Sequence, residues 1–312
     1  MKRTLYLFLF ILISHISVAQ SIDTNEYPEK ENDPSKYEKK IMWAERKDSI
    51  RAKIKKRIKE RAPSYNADSV RRELERGNYF TLFKDNYFTG GIPLGQKVKA
   101  STSNVKFQLS ISHRLTKSML PFDTYLFLQF SQKTIWNVME ESLPIHDLNF
   151  NPGIGLGHLI IHENNYIGKA ILMLEHESNG KDSLTSRSWN KVSLGINLML
   201  SRNLDAQLKL WVPIVDSDNN RDIVKYNGIG NLGLNYHNDS RRIHAGLLMT
   251  WRTESFSFNT QWELSFKLNE KVNQYLFIQY YNGYGENLLD YNQFKSVIRM
   301  GFVIKPRDFS IH

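Results

Sequence analysis

The amino-acid sequence predicts an all-β protein: a twelve-stranded antiparallel transmembrane β-barrel with a short helical periplasmic N-terminal extension. Three observations support this prediction. The chain begins with an export signal, it has no later apolar run of about 18 residues, and apolar and polar residues alternate from residue 78 onward. Barrel strands expose apolar side chains on one face only, so the negative mean hydropathy is compatible with a membrane protein.

Residues 1–19 are a predicted signal peptide. Lys2 and Arg3 precede an apolar run at residues 5–13, which is too short to span a bilayer as a helix. Ser17-Val18-Ala19 matches the small-x-small cleavage pattern, so we expect cleavage directly after it. The alternative is a retained N-terminal anchor, which the short apolar run disfavours.

Residues 20–77 form a predicted charged extension that precedes the barrel domain at 78–312. Ile50, Ile54 and Ile58 recur at every fourth position among lysines and arginines, which predicts a basic amphipathic helix ending near Pro63. The helix could be a solvated periplasmic element or lie on a membrane surface. Its narrow apolar stripe favours the solvated element.

Twelve strands are predicted between residues 79 and 305. Eleven runs alternate clearly, as Val105, Phe107, Leu109 and Ile111 do with polar neighbours, and a twelfth is expected around 79–89. The clear runs lie at 105–112, 123–136, 149–161, 166–178, 188–200, 204–210, 228–237, 242–251, 255–268, 272–282 and 294–305.

A soluble β-sandwich would alternate in the same way, so the choice of a barrel needs further support. Charged residues on the polar faces suit a wet lumen. Aromatic residues near strand ends suit interfacial girdles facing lipid. The aromatic residues in question are Tyr125, Trp136, Trp211, Trp251 and Tyr280.

The chain contains no cysteine, and its net charge of +10 bears on which partners it can bind. An exported protein needs no disulfide in principle, and a basic exported surface is expected to meet anionic lipid or lipopolysaccharide. We therefore expect no nucleic-acid partner.

Three polar residues occupy positions that strand parity assigns to the lipid-facing side. His176 and Ser178 share the parity of the leucines in one predicted strand, and Asn190 shares that of the apolar residues in the next. Polar side chains facing lipid are costly and are functional candidates by default. The alternative is that these residues have no catalytic role, because His-x-Ser is a common tripeptide and serine, asparagine and glycine often occupy hairpin turns.

Their chemistry fits a serine hydrolase. Ser178 needs a base to take its proton, and His176 lies two residues away on the same face. Asn190 could accept a hydrogen bond from the other imidazole nitrogen and so orient the ring. Gly180 lets backbone amides approach a developing oxyanion.

The segment HESNGKDSLTSRSWN, which begins at His176, resembles the active-site segment of the outer membrane phospholipase A family, a group of twelve-stranded barrel enzymes. The family pattern is H-x-S-N-G, a short variable stretch and S-R-S-W-N. The resemblance covers most of residues 79–309 but not 20–77, and it includes KFQLS at 106–110, SQKTIW at 131–136 and GYGENLLDYN at 283–292.

This resemblance implies a role for each residue of the segment. It implies Ser178 as nucleophile, His176 as base and Asn190 as orienting partner, with an oxyanion hole from the backbone amides of Ser178 and Gly180. It also implies a calcium site, whose ligands would be the carbonyl of Lys181 and the hydroxyl of Ser186. The family usually has arginine at the first of these positions, but a carbonyl ligand does not depend on the side chain.

The resemblance further implies activation by dimerisation, with Ser142 of the partner subunit as an additional calcium ligand. Gln132 shares the parity of apolar neighbours, and two such amides could hydrogen-bond across an interface. A glutamine reaching interfacial water is the alternative for Gln132.

The expected function is that of a calcium-dependent outer-membrane phospholipase, active as a homodimer. It would hydrolyse acyl esters of glycerophospholipids with A1, A2 and lysophospholipase activity. A catalytically inactive or diffusion-type barrel is the alternative, and lipid A deacylation is a second enzymatic class with similar ester chemistry.

Overall fold

The computed structural model describes residues 42–50, 65–77, 79–116, 120–215, 217–254, 257–270 and 272–306. The chain divides into two compact units, Met1–Arg57 and Ile58–His312. In the first unit, residues 42–50 form an exposed α-helix. The predicted signal peptide and most of the isoleucine-striped helix lie outside the described residues. Nowhere in the described ranges is a helix both long and apolar enough to cross a membrane.

The second unit contains a closed barrel of twelve antiparallel strands, so the predicted fold class is confirmed. Each strand pairs with the next along the chain, and the last strand pairs with the first through Val297↔Pro93 to Ile304↔Asn86. The strands are β1 (Asn86–Pro93), β2 (Asn104–Arg114), β3 (Thr124–Trp136), β4 (Ile145–His162), β5 (Asn165–Ser178), β6 (Ser188–Ser201), β7 (Leu204–Ile214), β8 (Gly230–His237), β9 (Ile243–Trp251), β10 (Phe258–Lys267), β11 (Gln274–Gly283) and β12 (Lys295–Ile304).

The two ends of the barrel differ in the length of their connections. At one end, which we call the short-turn end, turns such as Glu163–Asn164 between β4 and β5 are tight. At the other, the long-loop end, the connections include residues 179–187, 215–229 and 284–294. This asymmetry is typical of transmembrane barrels.

The strand predicted around residues 79–89 is interrupted by a bulge. Phe80–Leu82 pairs with β2, but β1 itself begins only at Asn86. Between them, the backbone N–H of Lys84 donates to the Ser110 hydroxyl at 3.2 Å, and the Asp85 carboxylate pairs with Lys305. The bulge therefore directs the ion pair between Asp85 and Lys305 into the barrel interior. It lies where the alternation of apolar and polar residues in the sequence is interrupted.

Glycines of β4 make room for aromatic rings inside the barrel. A Cβ at Gly157 would lie 2.3 Å from the ring of Tyr125, and one at Gly155 would lie 2.7 Å from the ring of Phe127. Tyr125 packs with the buried cluster that contains Phe127 and Met173. The prediction that Tyr125 belongs to a lipid-facing girdle is therefore wrong.

Trp211 also faces inward, contrary to the girdle prediction. Its indole N–H donates to the carbonyl of Gly228 at 2.9 Å, and its ring packs against a buried cluster. That cluster joins Trp189 of β6 to Ile223, Leu288 and Tyr291 of two long loops. An apolar cluster therefore lies in the lumen near the long-loop end, and Trp211 packs against it.

Buried ion pairs fill another part of the lumen. Glu286, from the loop at 284–294, lies 3.0 Å from Arg299 and 3.3 Å from Lys106. Lys106 also donates to Gln279 at 2.9 Å. Buried charges need such partners, so the loop between β11 and β12 is anchored inside the barrel.

A ten-residue helix, Ala67–Arg76, lies at the short-turn end of the barrel. The side chain of Asn66 accepts a hydrogen bond from the backbone N–H of Asp68 at 2.9 Å, which caps the first turn. Arg114 of β2 donates to the carbonyls of Leu74 and Glu75 in the last turn. The predicted extension to residue 77 thus includes a helix that packs on the barrel unit.

Candidate active site

The candidate residues meet where β5 ends and β6 begins, at the long-loop end of the barrel. In the ladder between these strands, His176 pairs with Asn190 and Ser178 pairs with Ser188. The connecting loop spans residues 179–187 and contains a 3-10 turn at Ser183–Thr185.

His176 and Asn190 are hydrogen-bonded across the hairpin on its outer face. The imidazole Nδ1 lies 2.8 Å from the side-chain oxygen of Asn190. Leu172 and Leu174, which precede His176 on the same face, are 49% and 57% exposed. An amide oxygen can only accept, so Nδ1 donates in this bond, and in the neutral form of the ring Nε2 is the acceptor nitrogen.

Ser178 follows on the same outer face as His176. Its side chain is half-buried, whereas that of His176 is exposed. Strand parity therefore places a hydroxyl, an imidazole and an amide on the same surface, the one that faces lipid in a barrel. The imidazole and the amide are hydrogen-bonded, whereas no hydrogen bond joins the Ser178 hydroxyl to His176 in the described part of the chain.

The loop after Ser178 is held by the buried side chain of Asn179. Its amide oxygen accepts from the backbone N–H of Arg187 at 2.9 Å, and its amide nitrogen donates to the carbonyl of Thr185 at 2.9 Å. The next residue, Gly180, has φ +61°, a conformation that side chains disfavour. The backbone N–H of Asn179 donates to the Arg187 carbonyl at 3.0 Å, so Gly180 supplies the first amide after Ser178 that has no protein acceptor among the described residues.

Lys181 and Ser186 lie at the two ends of this short loop. In the part of the chain that the structure describes, neither the Lys181 carbonyl oxygen nor the Ser186 hydroxyl has a hydrogen-bond partner. The Lys181 ammonium extends away, donating to the carbonyl of His146 at 2.8 Å. Unpartnered carbonyl and hydroxyl oxygens are the donors that a hard cation such as calcium prefers, so the donor set fits that ion.

The loop at 179–187 carries one carboxylate, that of Asp182, and no imidazole. The described residues contain no group of three or more His, Cys, Asp or Glu side chains that could hold a metal ion. A cation here would be bound by backbone and hydroxyl oxygens and by water, which a pattern of acidic residues cannot reveal.

Of the two residues expected to act between subunits, Gln132 lies on β3 and Ser142 lies in the loop between β3 and β4. Gln132 of β3 pairs with Phe150 of β4, which pairs in turn with Ser178. Gln132 is therefore at the level of Ser178, two strands or roughly 10 Å away. Ser142 is exposed in the loop between β3 and β4, with φ +66°.

A shallow concavity of about 570 Å³ extends from His176 across the outer face. Its lining runs over β2 to β7 and includes the apolar side chains of Ile111, Phe130, Pro152 and Leu174. His176 and Asn190 belong to this lining, whereas Ser178, two residues beyond His176 on β5, does not.

Two further residues support the site from behind, and sequence reasoning did not single them out. Glu177, between His176 and Ser178, faces the lumen and accepts from Trp189 and Lys191. Asn220, fully buried, accepts from the backbone N–H of Ser188 at 3.1 Å and donates to its carbonyl at 2.9 Å. The alternation of Glu177 with its neighbours was visible in the sequence, whereas the contact of Asn220 depends on the fold of a long loop.

Polar contacts through His146 link the loop at 179–187 to the loop at 284–294. His146, whose carbonyl binds Lys181, places Nε2 2.7 Å from the Asp290 carboxylate. Burial alone would raise the pKa of Asp290, but the hydrogen bond from His146 and the ammonium of Lys295 lower that pKa to about 2. Asp290 therefore stays ionised at neutral pH and keeps the two loops joined.

A sequence model of the phospholipase A1 family matches residues 84–304. The phospholipase A1 of Escherichia coli K12 is 31% identical over 249 residues, which cover 74% of this chain and 83% of that protein. A putative phospholipase A1 of Neisseria meningitidis serogroup B is 24% identical over 225 residues, covering 69% and 57% of the two chains.

Solved structures resemble the barrel as well. Outer membrane phospholipase A from Escherichia coli superposes with a TM-score of 0.65 at 24% identity, covering 73% of this chain and 99% of that one. A Salmonella typhi outer membrane phospholipase, described as a dimer with bound calcium, gives a TM-score of 0.67 at 25% identity, covering 78% and 99%.

Proposed function

The chain belongs to the phospholipase A1 family and is an outer-membrane β-barrel enzyme, and from that premise we propose that it is a calcium-dependent phospholipase with a Ser178–His176–Asn190 triad. The single observation that carries the triad is the 2.8 Å bond between His176 Nδ1 and the Asn190 oxygen on the outer face. It gives the imidazole the tautomer that a general base requires.

In the proposed reaction, the Ser178 hydroxyl attacks the carbonyl carbon of an acyl ester as His176 Nε2 takes its proton. The tetrahedral intermediate collapses when His176 returns that proton to the leaving alcohol oxygen. A water molecule then cleaves the acyl-enzyme by the same two proton transfers and releases a fatty acid. Asn190 holds the ring in place but, being neutral, stabilises the imidazolium less than aspartate would.

Backbone amides supply the proposed oxyanion hole. The turn at Asn179 and Gly180 leaves the N–H groups of Ser178 and Gly180 as candidate donors to the developing negative charge. Removal of one such preorganised donor from a serine protease costs about 10²–10³ in kcat.

The proposed calcium site uses the Lys181 carbonyl and the Ser186 hydroxyl, whose lack of a protein partner supports the assignment. When bound there, calcium would supply positive charge beside the oxyanion. Ser142 of the partner subunit would complete the site in a homodimer. The calcium-bound dimer described for the Salmonella typhi relative supports both parts of this proposal.

Substrate access follows from the outer location. A phospholipid in the membrane reaches the triad by lateral diffusion, with its acyl chain along the apolar concavity. We propose hydrolysis at either acyl position and of lysophospholipids, since an open depression imposes little positional constraint.

The test is an assay with purified protein and defined lipids. Phosphatidylethanolamine with two distinguishable acyl chains, its lyso form and lipid A are each incubated with calcium or with excess chelator. The proposal expects fatty-acid release from the first two, in calcium only. Release from lipid A alone would indicate the deacylase class, and full activity in chelator would contradict the calcium site.

A further inference from the structure

Glu177 stands between the two outer-face residues His176 and Ser178 but projects into the lumen. One of its carboxylate oxygens, Oε2, accepts the indole N–H of Trp189 at 3.0 Å and the ammonium of Lys191 at 2.8 Å. Trp189 and Lys191 are the immediate neighbours of Asn190. One inner-face atom therefore binds both flanks of the residue that orients His176.

The partners of Glu177 are themselves held firmly. Trp189 is 1% exposed and packs against Ile223, Leu288 and Tyr291 from two loops. The Lys191 ammonium also lies 4.4 Å from the centre of the Trp189 ring. The Glu177 carboxylate thus links β5, which carries Ser178, to Trp189 of β6. The Trp189 ring belongs to a buried cluster on the lumen side of Asn190.

We propose that Glu177 is a positioning residue for the hydrolytic reaction, acting through the lumen on the alignment of His176 with Asn190. This inference rests on the proposed triad. A small shift between β5 and β6 would lengthen the His176–Asn190 bond, and a displacement of about 1 Å in an active site can cost about 10²-fold in rate. Glu177 touches neither substrate nor reacting atoms.

Glu175 provides a matched control on the same strand and face. Its carboxylate is buried more deeply than that of Glu177 and lies 2.7 Å from a lysine, Lys209, and it accepts a hydrogen bond from Ser193. Neither of these partners adjoins Asn190. Lys191 lies opposite Glu175 in the ladder, but its ammonium donates to Glu177. Loss of Glu175 removes a comparable buried ion pair without removing the link to the flanks of Asn190.

The experiment measures kcat and KM for phosphatidylethanolamine hydrolysis in calcium, with thermal unfolding, for Glu177→Ala, Glu177→Gln, Glu177→Asp and Glu175→Ala. Glu177→Ala should lower kcat by roughly 10–100-fold with KM within about twofold of wild type. Glu177→Gln keeps an acceptor oxygen at the same reach and should stay within about threefold. Glu177→Asp keeps the charge but shortens the reach, so it should be slower than Glu177→Gln.

Glu175→Ala should lower the unfolding temperature yet change kcat by less than about threefold. The inference is overturned if Glu177→Ala keeps wild-type kcat, if Glu175→Ala loses as much kcat, or if Glu177→Asp is as fast as or faster than Glu177→Gln. The Gln and Asp comparison remains decisive should Glu177→Ala not fold. A wild-type protein that hydrolyses no phospholipid would instead contradict the proposed function.

Discussion

On the lumen face of the β5–β6 hairpin, Glu175 and Glu177 each meet a lysine, at 2.7 and 2.8 Å. On the outer face of the same strands, His176 meets a neutral amide at 2.8 Å. The inner pairs neutralise each other's charge between the strands, whereas the outer pair joins an exposed imidazole to a neutral amide. The lumen face of the hairpin thus holds ion pairs between the strands, and the outer face holds the residues of the proposed triad.

The largest effect is expected from Ser178→Ala on the outer face. Removal of a triad nucleophile should lower kcat by roughly 10³-fold or more. The variant should remain a folded barrel, because Ser178 contributes no packing to the lumen core. Fatty-acid release and heat-modifiable migration on gels measure the two quantities. Undiminished hydrolysis by a folded variant would place the chemistry elsewhere.

Asn190→Ala should lower kcat by about 10²-fold, because the imidazole loses the acceptor that orients it. Leu194→Ala, at an outward position on β6 that does not line the concavity, is the control and should change kcat by less than about threefold. Steady-state kinetics of the two variants check this. Equal losses in both would mean that outer-face packing, and not the hydrogen bond, sets the rate.

Ser186→Ala should raise the calcium concentration needed for half-maximal activity by about tenfold or more, because a hydroxyl ligand is removed. Ser183→Ala in the same loop should leave that concentration within about twofold. A calcium titration of activity measures both. An unchanged requirement in Ser186→Ala would exclude this hydroxyl as a ligand.

Gln132→Leu should have the smallest effect and act on assembly. Loss of a hydrogen bond between side-chain amides within a membrane costs roughly 0.6–1.4 kcal/mol, so the dissociation constant of the dimer should rise about threefold to tenfold. Crosslinking over a range of protein-to-detergent ratios measures it, with outward Thr260→Val on β10 as control. Identical dimer yields in Gln132→Leu and wild type would remove Gln132 from the interface.

The strand pattern and the outer position of His176, Ser178 and Asn190 could be read from the sequence, because a period of two assigns faces directly. Tyr125 and Trp211 were assigned to the wrong face, since a barrel lumen also contains apolar clusters and an aromatic residue suits either side. A residue type alone does not distinguish a lipid girdle from an inward-packed ring.

Other features depend on long-range contacts that no local pattern encodes. The loop at 284–294 enters the lumen because Glu286 finds Arg299 and Lys106 there. The charged composition of the helix Ala67–Arg76 prevented its prediction from the sequence, although Asn66 directly before it is a typical N-cap residue. The oxygen pair of Lys181 and Ser186 is invisible to a search for acidic metal ligands.

Covalent labelling tests the central claim most directly. Wild-type protein in calcium is treated with a long-chain alkyl sulfonyl fluoride, and the modified residue is identified by mass spectrometry while residual hydrolysis is followed. The proposed triad predicts one label per chain, on Ser178, with hydrolysis lost in proportion to labelling. A label on another serine, or hydrolysis that persists when Ser178 is fully modified, would contradict it.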